Sequence, residues 1–417
     1  MTLGEALWHG QAHMPTTART RLTIAGGDGA YVTTHDGRRL LDATAGLWHT
    51  NVGHGRERIA RAAYDQMCRL ETYHCFGRFA NEPALHLADR LSALGPVDGA
   101  KVMLTSGGSD SVDLACKLAL RHAQLAGDTD RTVLVSRDRA YHGLHGLGTS
   151  ITGLAYNRDG YGSPSLVPDT ARIPTNDLEG ARATIAEIGP ERIAAIVAEP
   201  VIGTGGVHGP AEGYLEGLQQ LAHEIGALFV ADEVITGFGR TGRWFASDRW
   251  GLQPDVVTLA KGLTSGYAPL GAVLVAPRVA DRFFADTPDT PMFRHGLTYS
   301  GHATACAVAA AYLDILAEED LVARAAAAED VLAKVLDPLR DHPLVTEVRS
   351  GAGFLAGVAL RADVDGAAVA ADVTDEGVIL RAIHENTLQI CPPFVVTDDE
   401  VDHIATTIRT ALDRRVT

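Results

Sequence analysis

Lysine is nearly missing from this chain. Of its 36 basic residues only four are lysines, Lys101, Lys117, Lys261 and Lys334, so any chemistry that needs a primary amine has four candidates. Cysteine is sparse as well: Cys68, Cys75, Cys116, Cys306 and Cys391 are odd in number, widely scattered and free of C-x-x-C spacing. That pattern argues against a disulfide framework and against a cysteine-rich zinc site. No run of about 18 apolar residues offers a membrane span, and Met1 to Gly10 lacks the basic flank and apolar stretch of a signal peptide. The expected compartment is a reducing cytoplasm. Basic blocks are absent too: 52 acidic residues face 36 basic ones, for a net charge of -16, which removes the electrostatic basis for nucleic-acid binding. Internal repeats, low-complexity tracts and long linkers are not found either.

What is present is apolar. A 417-residue chain with 46% hydrophobic residues can bury more than one core, because single cores stop growing near roughly 250 to 300 residues. From Val133 to Ala276, short apolar runs (TVLVS, IAAIVAE, ALFVADE, DVVTLAK, LGAVLVA) alternate with amphipathic stretches such as Tyr214 to Ile225. Runs this short and this rich in Val and Ile predict buried strands of a mainly parallel sheet, hence an α/β fold. Helices are expected over Pro83 to Leu94 and Ser109 to Ala126. The segment GGDGAYVTTHDGRRLLDAT alternates like an antiparallel hairpin. Beyond Ser300, two Ala/Leu-rich helices precede the strand-like segments LVTEVRS, GFLAGVAL and GVILRAI. The expected division is residues 1–61 and 300–417 as two parts of a smaller α+β domain, flanking a larger one over residues 62–299.

Three central strands end in an ionisable residue: Glu199 after IAAIVA, Asp232 after ALFVA and Lys261 after DVVTLA. Ligands of open α/β sheets bind beyond the carboxyl ends of the strands, so these side chains are expected to share one crevice. Among the lysines, Lys101 opens a strand, while Lys117 and Lys334 lie on helices. Only Lys261 follows a buried strand, where a partly desolvated amine could form a Schiff base. Asp232 could be a cap or half of an ion pair, or it could face the ring nitrogen of a pyridine cofactor. Glu199 could be solvated or could anchor the turn at Pro200. The segment TSGGSDSVDLACK sets glycines before an amphipathic helix, which suits either a phosphate at the helix N-terminus or simple capping by Ser109. The glycines of GFGRTG match G-x-G-x-x-G, but RWFASDRWG after them is no amphipathic helix, so a dinucleotide site is not expected. His142 and His145 lack a nearby third ligand, and no metal site is expected.

The stretches EPVIGTGGV, ADEVITGFGRTG, DVVTLAKGLTSGYAPLGAV and HGLTYSGHATAC resemble class III aminotransferases, in particular their omega-transaminase or amine:pyruvate branch. The likeness runs from GLWHTNVGHG to ILRAIHENTLQICPPFVVT. It implies a fold type I enzyme dependent on pyridoxal 5'-phosphate, a homodimer with active sites at its interface. The resemblance makes Lys261 the Schiff-base lysine and proton shuttle, and pairs Asp232 with the pyridine nitrogen. It places Val234 on one ring face and Tyr141 on the other, with His142 beside it. Gly108 and Ser109 match the phosphate-binding pair, Thr298 a residue that reaches the neighbouring subunit's phosphate, and Glu199 a support for the cofactor's hydroxyl side. Trp48 and Phe76 match aromatic walls of the substrate pocket, and Arg381 a mobile arginine that grips a keto-acid carboxylate. Gly107 stands where many relatives carry serine, and Leu297 where many carry phenylalanine. The implied activity moves an amino group from an amine or omega-amino acid to a keto acid such as pyruvate. A decarboxylase, racemase or aminomutase of the same fold is the alternative.

Overall fold

The computed structural model describes residue 4, residues 6–161 and residues 166–416. The apolar runs form a seven-stranded sheet in the spatial order Lys101–Thr105, Gly271–Val275, Val256–Leu259, Leu228–Asp232, Ile193–Ala198, Val133–Arg137 and Thr170–Ile173. Gly271–Val275 alone runs antiparallel to its neighbours, and the remaining pairs are parallel. Both faces of this sheet are covered, which is why its strands are apolar throughout rather than alternating. Ala195, Val197, Leu228 and Val230 pack with Val112, Ala115 and Leu118 of the helix Gly108–Ala126. Ile196, Ala198, Phe229 and Ala231 pack on the opposite face with Leu215 and Leu218 of the helix Tyr214–Glu224. Side chains two apart share a face, so Glu199 and Asp232, the residues that end these runs, are directed to the side of the helix Gly108–Ala126.

The chain ends meet. The hairpin Ile24–Asp28 with Tyr31–Thr34 leads to Arg39–Asp42, which pairs in parallel with Val378–Ile379 from the other end of the chain. A third sheet holds Val345–Arg349, Ala356–Leu360, Thr387–Ile390 and Arg381–Ile383 in that order. The expected single strand GVILRAI is therefore divided. Val378–Ile379 completes the N-terminal sheet while Arg381–Ile383 pairs with Thr387–Ile390, with buried Leu380 between them. Two separate edges needed covering, and one segment serves both by changing sheet at Leu380.

The GFGRTG loop is an internal clamp. Arg240 is fully buried; it donates to the carbonyls of Phe354 and Pro392 at 2.8 Å each and to Asn51 Oδ1 at 2.9 Å. Its guanidinium lies 4.5 Å from the centre of the Phe394 ring, a favourable cation–π arrangement. The helix that follows, Ala246–Arg249, has only four residues, too short for the dinucleotide fingerprint. The glycines serve close packing: a Cβ on Gly242 would come within 2.9 Å of the Ala326 side chain, and Gly242 adopts a φ of +74°.

Candidate active site

Asp232 ends its strand almost buried, 4% exposed. Its Oδ1 accepts from Thr258 Oγ1 at 2.9 Å and from the Val234 N–H at 3.2 Å, while Oδ2 meets His142 Nδ1 at 2.7 Å. Thr258 is the residue opposite Asp232 on the next strand, so strand register itself supplies one arm of this bracket. Glu199 is also buried, and two backbone N–H groups hold its carboxylate. Its Oε1 accepts from the Tyr141 N–H at 2.9 Å and its Oε2 from the Gly203 N–H at 3.0 Å. Burial pushes its carboxyl upward in pKa, against the pull of His142 and the two N–H groups. A solvated Glu199 is thus overturned; it ties the Tyr141 loop to the turn after Pro200.

Lys261 follows Val256–Leu259 and carries a φ of +40°. That left-handed backbone is unfavourable for a lysine and is the kind of strain that recurs at functional sites. Burial lowers its amine to about 8, opposed by Asp232 and Glu199. The other lysines are exposed: Lys101 begins a strand, Lys117 bonds to His295 Nδ1 at 3.0 Å, and Lys334 lies on Leu321–Leu336.

Lys261, Asp232, Glu199, Tyr141, His142, Val234, Gly108 and Ser109 line one cavity of about 150 Å³. Eight residues that sequence reasoning had placed together are brought together. One end of the cavity is the start of the 19-residue helix Gly108–Ala126, whose free N–H groups and dipole favour a phosphate. Gly108 permits close approach, since a Cβ there would lie 3.0 Å from Val234 Cγ1. Ser109 does not cap the helix as one reading expected. The cap position is Gly107, and Ser109 Oγ instead accepts from the Leu144 N–H at 3.2 Å. The start of the helix Gly108–Ala126, the Lys261 amine just past one strand and the buried Asp232 carboxylate ending the next thus set three polar groups around one cavity. The buried His142 Nε2 has no hydrogen-bond partner among the described residues, which leaves a polar atom for a bound group. A metal pair is not formed: His142 faces Asp232 and His145 faces Asp110 at 3.2 Å. Among the described residues no group of three His, Cys, Asp or Glu side chains is placed to hold a metal ion.

A second cavity of about 440 Å³ shares Lys261 and Tyr141 with the first and adds Trp48, Tyr156, Thr204, Arg381 and His384. Among the described residues no Asp or Glu lines it. Trp48 is 2% exposed and sits at φ +67°, in a turn where Ala45 and Gly46 also have positive φ. Asp42 holds this turn. Its Oδ2 accepts from the Gly46 N–H at 2.6 Å and from His54 Nε2 at 3.0 Å, and its Oδ1 from the N–H and hydroxyl of Thr44. Burial alone would raise the Asp42 carboxyl, yet the bonds from His54, Thr44 and Gly46 together hold it below the ordinary carboxylate range. Sequence reasoning missed Asp42; its only signal was an acid at a strand end just before GLWH.

Phe76 and Thr298 are not at these cavities. Phe76 lines a larger one of about 900 Å³ with Met292, Gly296, Ser300 and Gly301, and Thr298 is exposed on the same 296–300 segment. A Cβ on Gly296 would come within 2.7 Å of the Phe76 ring, so the two elements are in contact with each other and apart from Lys261.

Comparison with known proteins gives a consistent picture. The description of class-III aminotransferases matches residues 14–412. An omega-aminotransferase of Caulobacter vibrioides is 34% identical, with 98% of this chain and 97% of that protein covered. A putrescine–pyruvate aminotransferase of Pseudomonas aeruginosa is 34% identical over 94% of this chain and 90% of its own length. Among solved structures, a thermostable omega transaminase from Pseudomonas jessenii superposes with a TM-score of 0.94 at 32% identity, covering 99% and 98% of the two chains.

Proposed function

The chain belongs to the class-III aminotransferases and transfers amino groups, and on that premise we propose that its cofactor is pyridoxal 5'-phosphate, held by Lys261, and its acceptor pyruvate. The observation that carries this reading is the single cavity shared by Lys261, Asp232 and the start of the helix Gly108–Ala126. Gly108 and Ser109 would take the phosphate, Asp232 the ring nitrogen, and Val234 and Tyr141 the two ring faces, with His142 and Glu199 behind them. When bound, pyridoxal phosphate offers a carbonyl that captures amines and a ring that takes up the electron pair left on the substrate carbon. Lys261 would supply the anchoring amine and, once free, carry the proton to and from the substrate carbon. An amine lowered to about 8 is partly neutral near physiological pH, as a base or nucleophile must be.

Arg381 supports a keto-acid acceptor. No carboxylate among the described residues pairs with it, and burial lowers its pKa. A guanidinium without an acid, beside a cavity without Asp or Glu, suits a substrate carboxylate. Phe76 lines the cavity of about 900 Å³, Thr298 lies on the segment that borders it, and Tyr73, Phe79, Met292 and Tyr299 of the same segments are exposed. An apolar patch of this kind fits a subunit interface, and a homodimer would let both residues serve the partner's site. The five free cysteines agree with a reducing cytoplasm, and no helix among the described residues is long and apolar enough to cross a membrane. The pairing of Leu41 with Val378 supports a smaller domain built from residues 1–61 and 300–417, around the larger 62–299.

The test is spectroscopic and stoichiometric. Purified protein is expected to be yellow, to lose its visible band on addition of an amine donor, and to regain it with pyruvate while forming one alanine per donor consumed. Colourless protein that takes up no pyridoxal phosphate would end the cofactor assignment, and failure to form alanine would end the pyruvate assignment.

Asp42 supplies a further prediction. Asp42→Asn removes a buried charged acceptor from four donors, so it is expected to lower folding stability by roughly 1–3 kcal/mol. By loosening the Trp48 turn it is also expected to raise the donor KM by about tenfold. Thermal unfolding and steady-state kinetics check both, and a variant matching the parent in each would show that Asp42 does not hold Trp48.

A further inference from the structure

We propose that Gln389 is a positioning residue that holds Arg381 in its carboxylate-accepting pose and thereby sets how strongly this enzyme prefers substrates bearing a carboxylate. The proposal rests on the reading of Arg381 as the carboxylate receptor. Arg381 and Gln389 stand opposite each other on the antiparallel pair Arg381–Ile383 and Thr387–Ile390, so their side chains leave the sheet on the same face. Arg381 Nε donates to Gln389 Oε1 at 3.1 Å. Gln389 itself is fully buried, and Arg381 lines the outer cavity with Lys261, Trp48 and Tyr156.

Two features separate this contact from ordinary sheet packing. First, the amide acceptor is neutral. It orients the guanidinium through Nε and leaves the two terminal nitrogens, the pair that makes bidentate contacts with a carboxylate, without an acid to compete for them. Second, Gln389 Nε2 is buried and has no hydrogen-bond partner among the described residues. The amide is therefore not shared with another structural bond, and rotating it by half a turn would set its N–H groups against the cationic side chain. Its orientation is dictated by Arg381 alone. The turn His384–Asn386 joins the two strands, and Glu385 at its centre is fixed by Arg139 and by His208 Nε2 at 3.0 Å. The strand bearing Arg381 is thus anchored at the turn, while the direction of the side chain is left to Gln389.

The experiment uses holoenzyme and reads carboxylate-bearing and carboxylate-free reagents in parallel. Gln389→Met removes the acceptor at similar volume; Gln389→Glu replaces it with a competing acid that would draw the guanidinium away. In single-turnover reactions of enzyme loaded with pyridoxamine phosphate, both variants are expected to raise the apparent Kd for pyruvate by about tenfold, with the limiting rate held within about twofold. Reaction of the pyridoxal-phosphate form with aminooxyacetate, which bears a carboxylate, is expected to slow by a similar factor, whereas methoxyamine, which has none, reacts at the parent rate. Arg381→Ala is the reference. If it leaves the pyruvate Kd unchanged, the reading of Arg381 itself fails. If it raises that Kd while both Gln389 variants behave as the parent, the positioning role of Gln389 fails alone. Equal slowing of aminooxyacetate and methoxyamine would reveal general damage and overturn the proposal as well. Should one Gln389 variant not accumulate as soluble holoenzyme, the other carries the test.

Discussion

Replacing Lys261 by alanine is expected to lower turnover by about 10⁴-fold or more, because one side chain supplies both the covalent anchor and the proton carrier. No other lysine can substitute, since Lys101, Lys117 and Lys334 are exposed on other surfaces. The diagnostic measurement is borohydride trapping followed by mapping of the modified residue. A covalent cofactor adduct still found in Lys261→Ala would end the assignment. Partial recovery on adding a small amine such as methylamine is the expected sign that a proton carrier, rather than a structural prop, was removed.

Stability of the cofactor-free protein should move in the opposite direction. Lys261 has a folded-state pKa of about 8 against an ordinary 10.5. Between these values the unfolded chain holds more protons, so the contribution of Lys261 to stability rises with pH across that window. Below it both states are protonated, and the cost of burying the cation is fully present. Lys261→Met is therefore expected to stabilise the cofactor-free protein near neutral pH by at most on the order of 3 kcal/mol, a gain that vanishes above about pH 10.5. Denaturant unfolding at the two pH values checks the sign. A loss of stability near neutral pH would mean that the buried amine is better compensated than its surroundings indicate.

Asp232→Asn carries the second large effect, a fall in turnover of about 10² to 10³-fold. The substitution preserves shape but removes the negative charge proposed to keep a pyridine nitrogen protonated. It also reverses the bond to His142: the amide oxygen can still accept from Thr258 and the Val234 N–H, but the Nδ2 group set opposite His142 Nδ1 can only donate, so the imidazole must give up a proton there. The Lys261 adduct should still form, so the variant is expected to be coloured but slow. Proton abstraction from the donor is the step to follow. Turnover within about tenfold of the parent would place the ring nitrogen elsewhere.

Much of this was readable from local pattern. Runs such as IAAIVA and ALFVA are buried on both faces, so their apolar continuity and the charged residue that ends each one followed from the sheet alone. With one lysine at a strand exit and three on exposed positions, the amine was identifiable without tertiary information. The resemblance to class III aminotransferases then named partners for it, and the cavity places Asp232, His142, Tyr141 and Gly108 around it.

Other features depend on residues far apart in the chain and left no local trace. Trp48 faces the outer cavity because Asp42 and His54 enforce a strained turn. GFGRTG resembled a nucleotide loop, yet Arg240 uses it to join Asn51, Phe354 and Pro392. Glu199 looked like one more acid at a strand end and proved to bind two backbone N–H groups. Arg381 reaches the cavity because GVILRAI changes sheet at Leu380, a break that no periodicity marks because both pieces are equally good strands. Composition and strand period by themselves determined the α/β sheet and the candidate amine, since both follow from contacts between near neighbours and from burial. Only the tertiary structure decided what surrounds that amine, because the aim of Trp48, Arg381 and Gln389 is set by hydrogen bonds between segments that meet only once the sheets have assembled.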